Sequence, residues 1–148
     1  MTNYVIMEKE TFQNMVREAA VAYKASNEMQ MVETARSGIS KQTLVNISKL
    51  SGLSIKEMAE LLPVSLRTIQ RYKNEDILEP AVSERVLLIA EVLAKALDVF
   101  GSLEDLQHWL HTPSIALDRQ TPISLLDTSF GARLVTDQLG RIEHGIYS

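Results

Sequence analysis

The side chains best suited to chemistry in this chain lie between positions 65 and 73, where three basic residues stand with no acid among them. Arginine can donate a pair of hydrogen bonds to guanine, and glutamine can pair in the same way with adenine. Serine, threonine and lysine can hold phosphates, which set the register on a duplex without reading its sequence. The segment therefore predicts a DNA-reading surface made of Ser65, Arg67, Thr68, Gln70, Arg71 and Lys73.

Two short helices joined by a tight turn are expected to position this surface. Ser54 can cap the first helix, and Glu57 three residues later completes a capping box. Pro63 cannot continue a helical hydrogen-bond ladder, so the first helix ends before it. Ser65 can cap the second helix, whose apolar Ile69 faces inward. The pattern is typical of a helix-turn-helix, although Pro63 stands where such motifs often have glycine; the alternative is a helical hairpin with a solvated basic face.

Helical periodicity extends over most of the remaining chain and predicts an all-α fold. The segment from Glu8 to about Arg36 has no glycine or proline, which favours a long helix. Pro80 can open another long helix, which ends at Gly101. Shorter helices are expected over 39–50, 103–110, 121–126 and 130–144, with Thr121 and Pro122 as the cap and first residue of the third.

These elements divide the chain into three expected units. The first, residues 1–37, is a helical segment that serves either as a dimerisation arm or as a helix folded on its own domain. The second, residues 38–79, is the helix-turn-helix unit. The third, residues 80–148, begins with the long connecting helix and continues as a small helical domain.

The charge distribution indicates weak DNA binding by one copy. The chain of 148 residues has a formal net charge of −4, yet residues 40–80 carry one net positive charge. Phosphate contacts dominate DNA affinity, so a field this small predicts that two or more copies act together, as a homodimer or a higher oligomer. Residues 81–148 carry four net negative charges and suit a protein partner better than DNA.

The sequence offers no constellation for catalysis, so we expect neither an enzyme nor a cofactor. His108 and His111 could meet on one helical turn, but no second pair of ligands stands at a supporting spacing, and no metal site is predicted. The chain has no cysteine, no secretory signal pattern and no apolar run of the ~18 residues that a membrane helix needs. These features are compatible with a cytoplasmic protein.

The C-terminal third resembles a known domain. Its distinctive residues are Phe100-Gly101, Trp109-Leu110, Thr112-Pro113, Thr121-Pro122, Leu125-Leu126-Asp127-Thr128, Gly131 and the closing run Leu139 to Tyr147. With these residues, the region 40–148 resembles an Xre-type helix-turn-helix followed by the Xre/MbcA/ParS toxin-binding domain of bacterial antitoxins.

The resemblance implies a function. Antitoxins of this family neutralise a toxin, commonly a RES-domain protein that consumes NAD, and repress their operon through the helix-turn-helix. The C-terminal region blocks access to the toxin's active site. Carried onto this chain, the implied toxin contacts are Arg133, Arg141, Glu143, Gly145, Ile146, Tyr147 and Ser148.

Two other functions are compatible with the residues alone. The chain could be a stand-alone transcription regulator whose C-terminal domain oligomerises or binds an unknown ligand. It could also be a protein-interaction or inhibitor module whose helix-turn-helix no longer binds DNA, which the small positive field fits. Loss of operator binding on replacing Arg67 and Arg71 would separate the last alternative from the other two.

Overall fold

The structure, a computed structural model, describes residues 28–145, and in that range it contains seven α-helices, two 3₁₀-helices and no strand. This confirms the all-α prediction. Of the expected N-terminal helix only residues 28–36 are described, and Ile146, Tyr147 and Ser148 also lie outside the described range. The α-helices are α1 (Glu28–Ser37), α2 (Lys41–Ser51), α3 (Ile55–Leu61), α4 (Leu66–Arg71), α5 (Pro80–Phe100), α6 (Leu103–Leu110) and α7 (Ser129–Glu143).

The long helix α5 is the centre of the fold. Pro80 opens it, and Gly101 ends it in the left-handed conformation at φ 78°, as the sequence predicted. Eleven of its 21 residues are buried, so it is covered on more than one side. It packs against α1, α2, α6 and α7. No helix in the described part is long and apolar enough to cross a membrane.

One hydrophobic core joins the helix-turn-helix to the C-terminal helices. Its buried side chains include Leu44 of α2, Met58 of α3, Ile89 of α5 and Leu139 of α7. Helix α3 also packs directly against the 3₁₀-helix Ile123–Asp127. The two predicted helix-turn-helix helices and the C-terminal helices are therefore built on a shared interior.

Helix α6 and the residue that follows it also link the two parts of the fold, because their side chains cap the C-terminal end of α2. The last carbonyls of a helix have no partner within it and need other donors. Gln107 Nε2 donates to Leu50 O at 3.0 Å, and His111 Nε2 lies 2.9 Å from Ser51 O. From the sequence, His111 was considered as a possible metal ligand. In the structure its ring nitrogen instead contacts the backbone carbonyl of Ser51.

The short helix expected at 121–126 is present, but it begins later and is not an α-helix. The structure has a 3₁₀-helix, Ile123–Asp127, and Pro122 rather than Thr121 holds its cap position. The Ser124 N–H donates to Thr121 O at 3.1 Å, which is the three-residue spacing of a 3₁₀ turn. This tighter spacing puts Ile123 and Leu126 on the same side, and both are buried.

Candidate functional site

The first helix of the reader pair starts with the predicted capping box. Ser54 Oγ accepts from the Glu57 N–H at 3.1 Å, and the Ser54 N–H donates to Glu57 Oε1 at 3.2 Å. The hydrogen bonds from Ser54, first its backbone N–H and then its hydroxyl, lower the pKa of the Glu57 carboxyl, with a smaller contribution from the charge of His111. The start of α3 is therefore held by local contacts that the sequence alone specifies.

The turn between α3 and α4 is made without a left-handed glycine. Leu62, directly after α3, is extended at φ −109° and ψ 151°. This follows from Pro63, because a proline ring disfavours the helical conformation in the residue before it. Ser65 then caps α4 by accepting from the Thr68 N–H at 3.1 Å, as predicted. The unusual proline therefore gives a turn of different geometry that still joins the two helices.

Helix α4 presents a small basic face. Ile69 is fully buried, while Arg67, Gln70 and Arg71 are exposed. At 100° per residue these three side chains fall within about 100° of arc, so they lie on one face of the helix. They are the part of the predicted DNA surface that the structure brings together.

The other predicted DNA contacts lie at the edges of this face. Ser65 is exposed and donates to Thr68 Oγ1 at 3.0 Å. Thr68 is half-buried and lines a crevice of about 50 Å³ between α4 and the start of α5, together with Tyr72 and Val82. Lys73 lies beyond the end of α4, in a turn where its N–H donates to Asp76 Oδ2 at 2.8 Å.

Lys41 supports the basic face from behind, which the sequence did not indicate. Its Nζ donates to Tyr72 O at 2.7 Å, at the end of α4. Its backbone N–H donates to Asp76 O, and Gln42 N–H donates to Asn74 O, both at 2.9 Å. These bonds tie the loop after α4 to the start of α2. A lone lysine at a helix start gave no signal of this role.

Helix α7 is held tightly at its start. Thr128 Oγ1 accepts from the Gly131 N–H at 3.0 Å. A Cβ on Gly131 would lie only 1.8 Å from Leu125 O, so the backbones of α7 and the preceding 3₁₀-helix touch there. Ala132, Val135 and Leu139 form the buried side of the helix.

The predicted toxin contacts divide between two sides of α7. Arg133 and Arg141 are exposed and, eight residues apart, differ by about 80° around the helix axis. Glu143 is also exposed but lies about 200° from Arg141. Gly145 takes φ 72° after the helix, and a Cβ there would meet nothing within 4 Å.

Arg141 lies in a basic depression that the sequence did not predict. Lys95 of α5 and His144 line it with Arg141, together with Thr136, Asp137 and Gly140, and its volume is about 350 Å³. Three basic side chains surrounding one carboxylate suit an acidic protein surface.

Large apolar side chains on the surface of the C-terminal part were also missed. Phe130 is 73% exposed, Leu134 is 55% exposed and Ile115 is 87% exposed. Phe130 and Leu134 are one turn apart on the same face of α7 as Arg133 and Arg141. The sequence did contain one signal of their exposure, which is their helical spacing relative to those arginines. Among residues 28–145, no group of three potential metal ligands is found.

Comparison with known proteins identifies both parts of the chain. Residues 30–91 match the antitoxin Xre-like helix-turn-helix domain, and residues 95–145 match the antitoxin Xre/MbcA/ParS C-terminal toxin-binding domain. A chain in the crystal structure of the M. tuberculosis MbcT–MbcA toxin–antitoxin complex shares the fold, with a TM-score of 0.55 and 18% identity over 73% of this chain and 96% of that one.

Curated relatives agree with these matches. Antitoxin Xre of Yersinia enterocolitica is 29% identical over 130 residues, which cover 86% of this chain and 88% of the relative. Antitoxin Xre of Photorhabdus laumondii is 40% identical over 67 residues, 45% of each chain. With the two domains following one another on a shared core, the chain belongs to the Xre/MbcA/ParS antitoxin family.

Proposed function

We propose that this protein binds and silences a toxin through its C-terminal part and represses the operon through α4. The toxin is proposed to be a RES-domain protein that consumes NAD, and both proteins act in the cytoplasm. The observation that carries the proposal is the pair of family domains built on one core, each with an exposed surface suited to its partner. The chain's own role is binding rather than catalysis.

The DNA-binding role depends on the exposed face of α4. Arg67 and Arg71 are the proposed base and phosphate contacts, with Gln70 between them and Ser65, Thr68 and Lys73 at the edges. Replacing both arginines by alanine should weaken operator binding by at least about 30-fold, since each good arginine contact contributes roughly 1–3 kcal/mol. The measurement is a DNA-binding titration at fixed salt, with Lys56→Ala on α3 as the control. Unchanged binding by the double variant would exclude α4 as the reader.

The toxin-binding role is tested with the protein encoded beside this one. Co-purification of the two full-length chains should give a stable complex, and Arg141→Glu should weaken it. Glu143→Ala tests the opposite side of the C-terminal end of α7. If both Arg141→Glu and Glu143→Ala weaken toxin binding, the toxin surrounds that end of the helix. Tyr147→Ala tests the proposed contact of the last residues. Failure of the unaltered chain to bind would remove the antitoxin function and leave a stand-alone regulator.

We propose that the active DNA-binding form is a homodimer or a higher oligomer. One copy offers only three basic side chains on and beside α4, which is few for stable binding to DNA. Helix α1 supports self-association, because it has no buried residue and exposes both Met29 and Val32. Light scattering on the unaltered chain and on Val32→Glu measures this; a monomeric unaltered chain would contradict it.

A further inference from the structure

We propose that Phe130 and Leu134 are the apolar anchors by which α7 binds the toxin, on the same face of the helix as the two arginines already proposed as contacts. The proposal rests on the antitoxin function above and assigns it a surface. Both side chains are exposed large hydrophobic residues, at 73% and 55%. A contact built around buried aromatic and aliphatic anchors gives most of the binding energy in protein interfaces.

The anchors belong to one continuous stripe along α7. Positions 130, 134, 137 and 141 follow the spacing of four, three and four residues that keeps side chains on one face of a helix. All four are exposed, and the stripe runs about 16 Å along the axis. Arg133 borders the apolar end, and Arg141 forms the polar end.

The apolar end of the stripe is displayed rigidly. Gly131, next to Phe130, is in backbone contact with Leu125, and Thr128 caps the first turn. The Arg133 guanidinium lies over the Phe130 ring at 5.9 Å from its centroid, which favours one orientation of both side chains. A side chain fixed before binding loses little conformational freedom when it enters a pocket. The exposed Phe130 ring is therefore pre-organised for binding to a partner.

The position of the stripe selects the toxin as that partner. It lies wholly inside residues 95–145, which match a toxin-binding domain. It ends at the basic depression around Arg141, and α7 then leads into Gly145 and the last residues, which are proposed toxin contacts. The matching toxin surface has an apolar pocket bordered by carboxylates, because Arg133 lies beside the two anchors and Arg141 lies on the same face farther along α7.

The test uses full-length chains and the toxin encoded beside this protein. Phe130→Ser and Leu134→Ser are compared with Ile77→Ser, because Ile77 is also 55% exposed but lies outside the toxin-binding domain. Phe130→Ser should raise the dissociation constant of the toxin complex by about 30-fold, and Leu134→Ser by about 10-fold. Ile77→Ser should leave it unchanged, and Phe130→Leu should restore part of the loss.

Thermal unfolding and operator binding are measured for the same variants and should match the unaltered chain, since the replaced side chains are on the surface. If Phe130→Ser and Leu134→Ser both bind the toxin as tightly as the unaltered chain, the inference is overturned while the antitoxin function stands. A change in oligomeric mass instead of toxin affinity would also overturn it, because the stripe would then be a self-association surface. Absence of any complex with the unaltered chain would instead refute the proposed function.

Discussion

The helix-turn-helix and the α7 region differ in what holds their surfaces in place. The reader helices are fixed by contacts between residues three apart, such as Ser54 with Glu57 and Ser65 with Thr68. Helix α7 is fixed by a contact between backbones, where Gly131 meets Leu125 O. The first arrangement is specified by short sequence motifs, whereas the second depends on a contact between two separate secondary-structure elements.

The two surfaces differ in chemistry as well. The α4 face is small, basic and polar, and it suits phosphates and base edges. The α7 face combines exposed Phe130 and Leu134 with charged residues, which is the composition of a protein-binding surface. The difference teaches that one small fold can display two surfaces of different chemistry that share no residue, although both surfaces depend on the core around α5.

The largest effect is expected from placing a methyl group where α7 touches the preceding 3₁₀-helix. Gly131→Ala puts a Cβ 1.8 Å from Leu125 O and should destabilise the fold by about 3 kcal/mol or more. Gly140→Ala in the same helix is the matched control, because its Cβ meets only Lys95 Nζ at 3.9 Å. Alanine should stabilise that position by up to about 1 kcal/mol. Urea unfolding measures both, and equal stabilities would refute the close-contact argument.

A smaller loss of stability is expected where α5 contacts the segments that flank the helix-turn-helix. Ser83 Oγ is fully buried, accepts from the Ile39 N–H at 3.0 Å and donates to Leu78 O at 3.2 Å. Ser83→Ala leaves two buried backbone groups without that partner and should cost about 2 kcal/mol. Ser124→Ala, which removes an exposed hydroxyl bond to Thr121 O, should cost less than about 0.5 kcal/mol. If both variants melt at the same temperature, Ser83 does not connect the halves.

The smallest effect is a pH dependence at the start of α3. The pKa of Glu57 is lowered below 4.5 by its bonds with Ser54, so its contribution to stability is present above pH 4.5 and lost as the pH falls through the folded-state pKa. Glu57→Gln should therefore be less stable than the unaltered chain at pH 7, and the difference should narrow at pH 3. Urea midpoints at the two pH values measure this. A constant difference would mean that the carboxylate charge contributes nothing.

Much of the candidate site was predictable because its signals are local. The capping box at Ser54, the cap at Ser65, the limits of α5 and the inward position of Ile69 were predicted from neighbouring residues and confirmed. Lys41 was not predictable as the support of α4, because its partner, the carbonyl of Tyr72, is 31 residues away. The exposure of Phe130 was also missed, since an apolar residue at a helix start is as compatible with the core as with the surface.

The sequence by itself determined the helical class of this protein, the two-helix reader and the family to which it belongs. These depend on periodicity, caps and short motifs, which act over a few residues. Only the tertiary structure decided that Gln107 and His111 cap α2, that Ile123–Asp127 forms a 3₁₀-helix, and which face of α7 is exposed. The physical reason is that burial and backbone contact are set by elements distant in the chain, and no local pattern records which of them will meet.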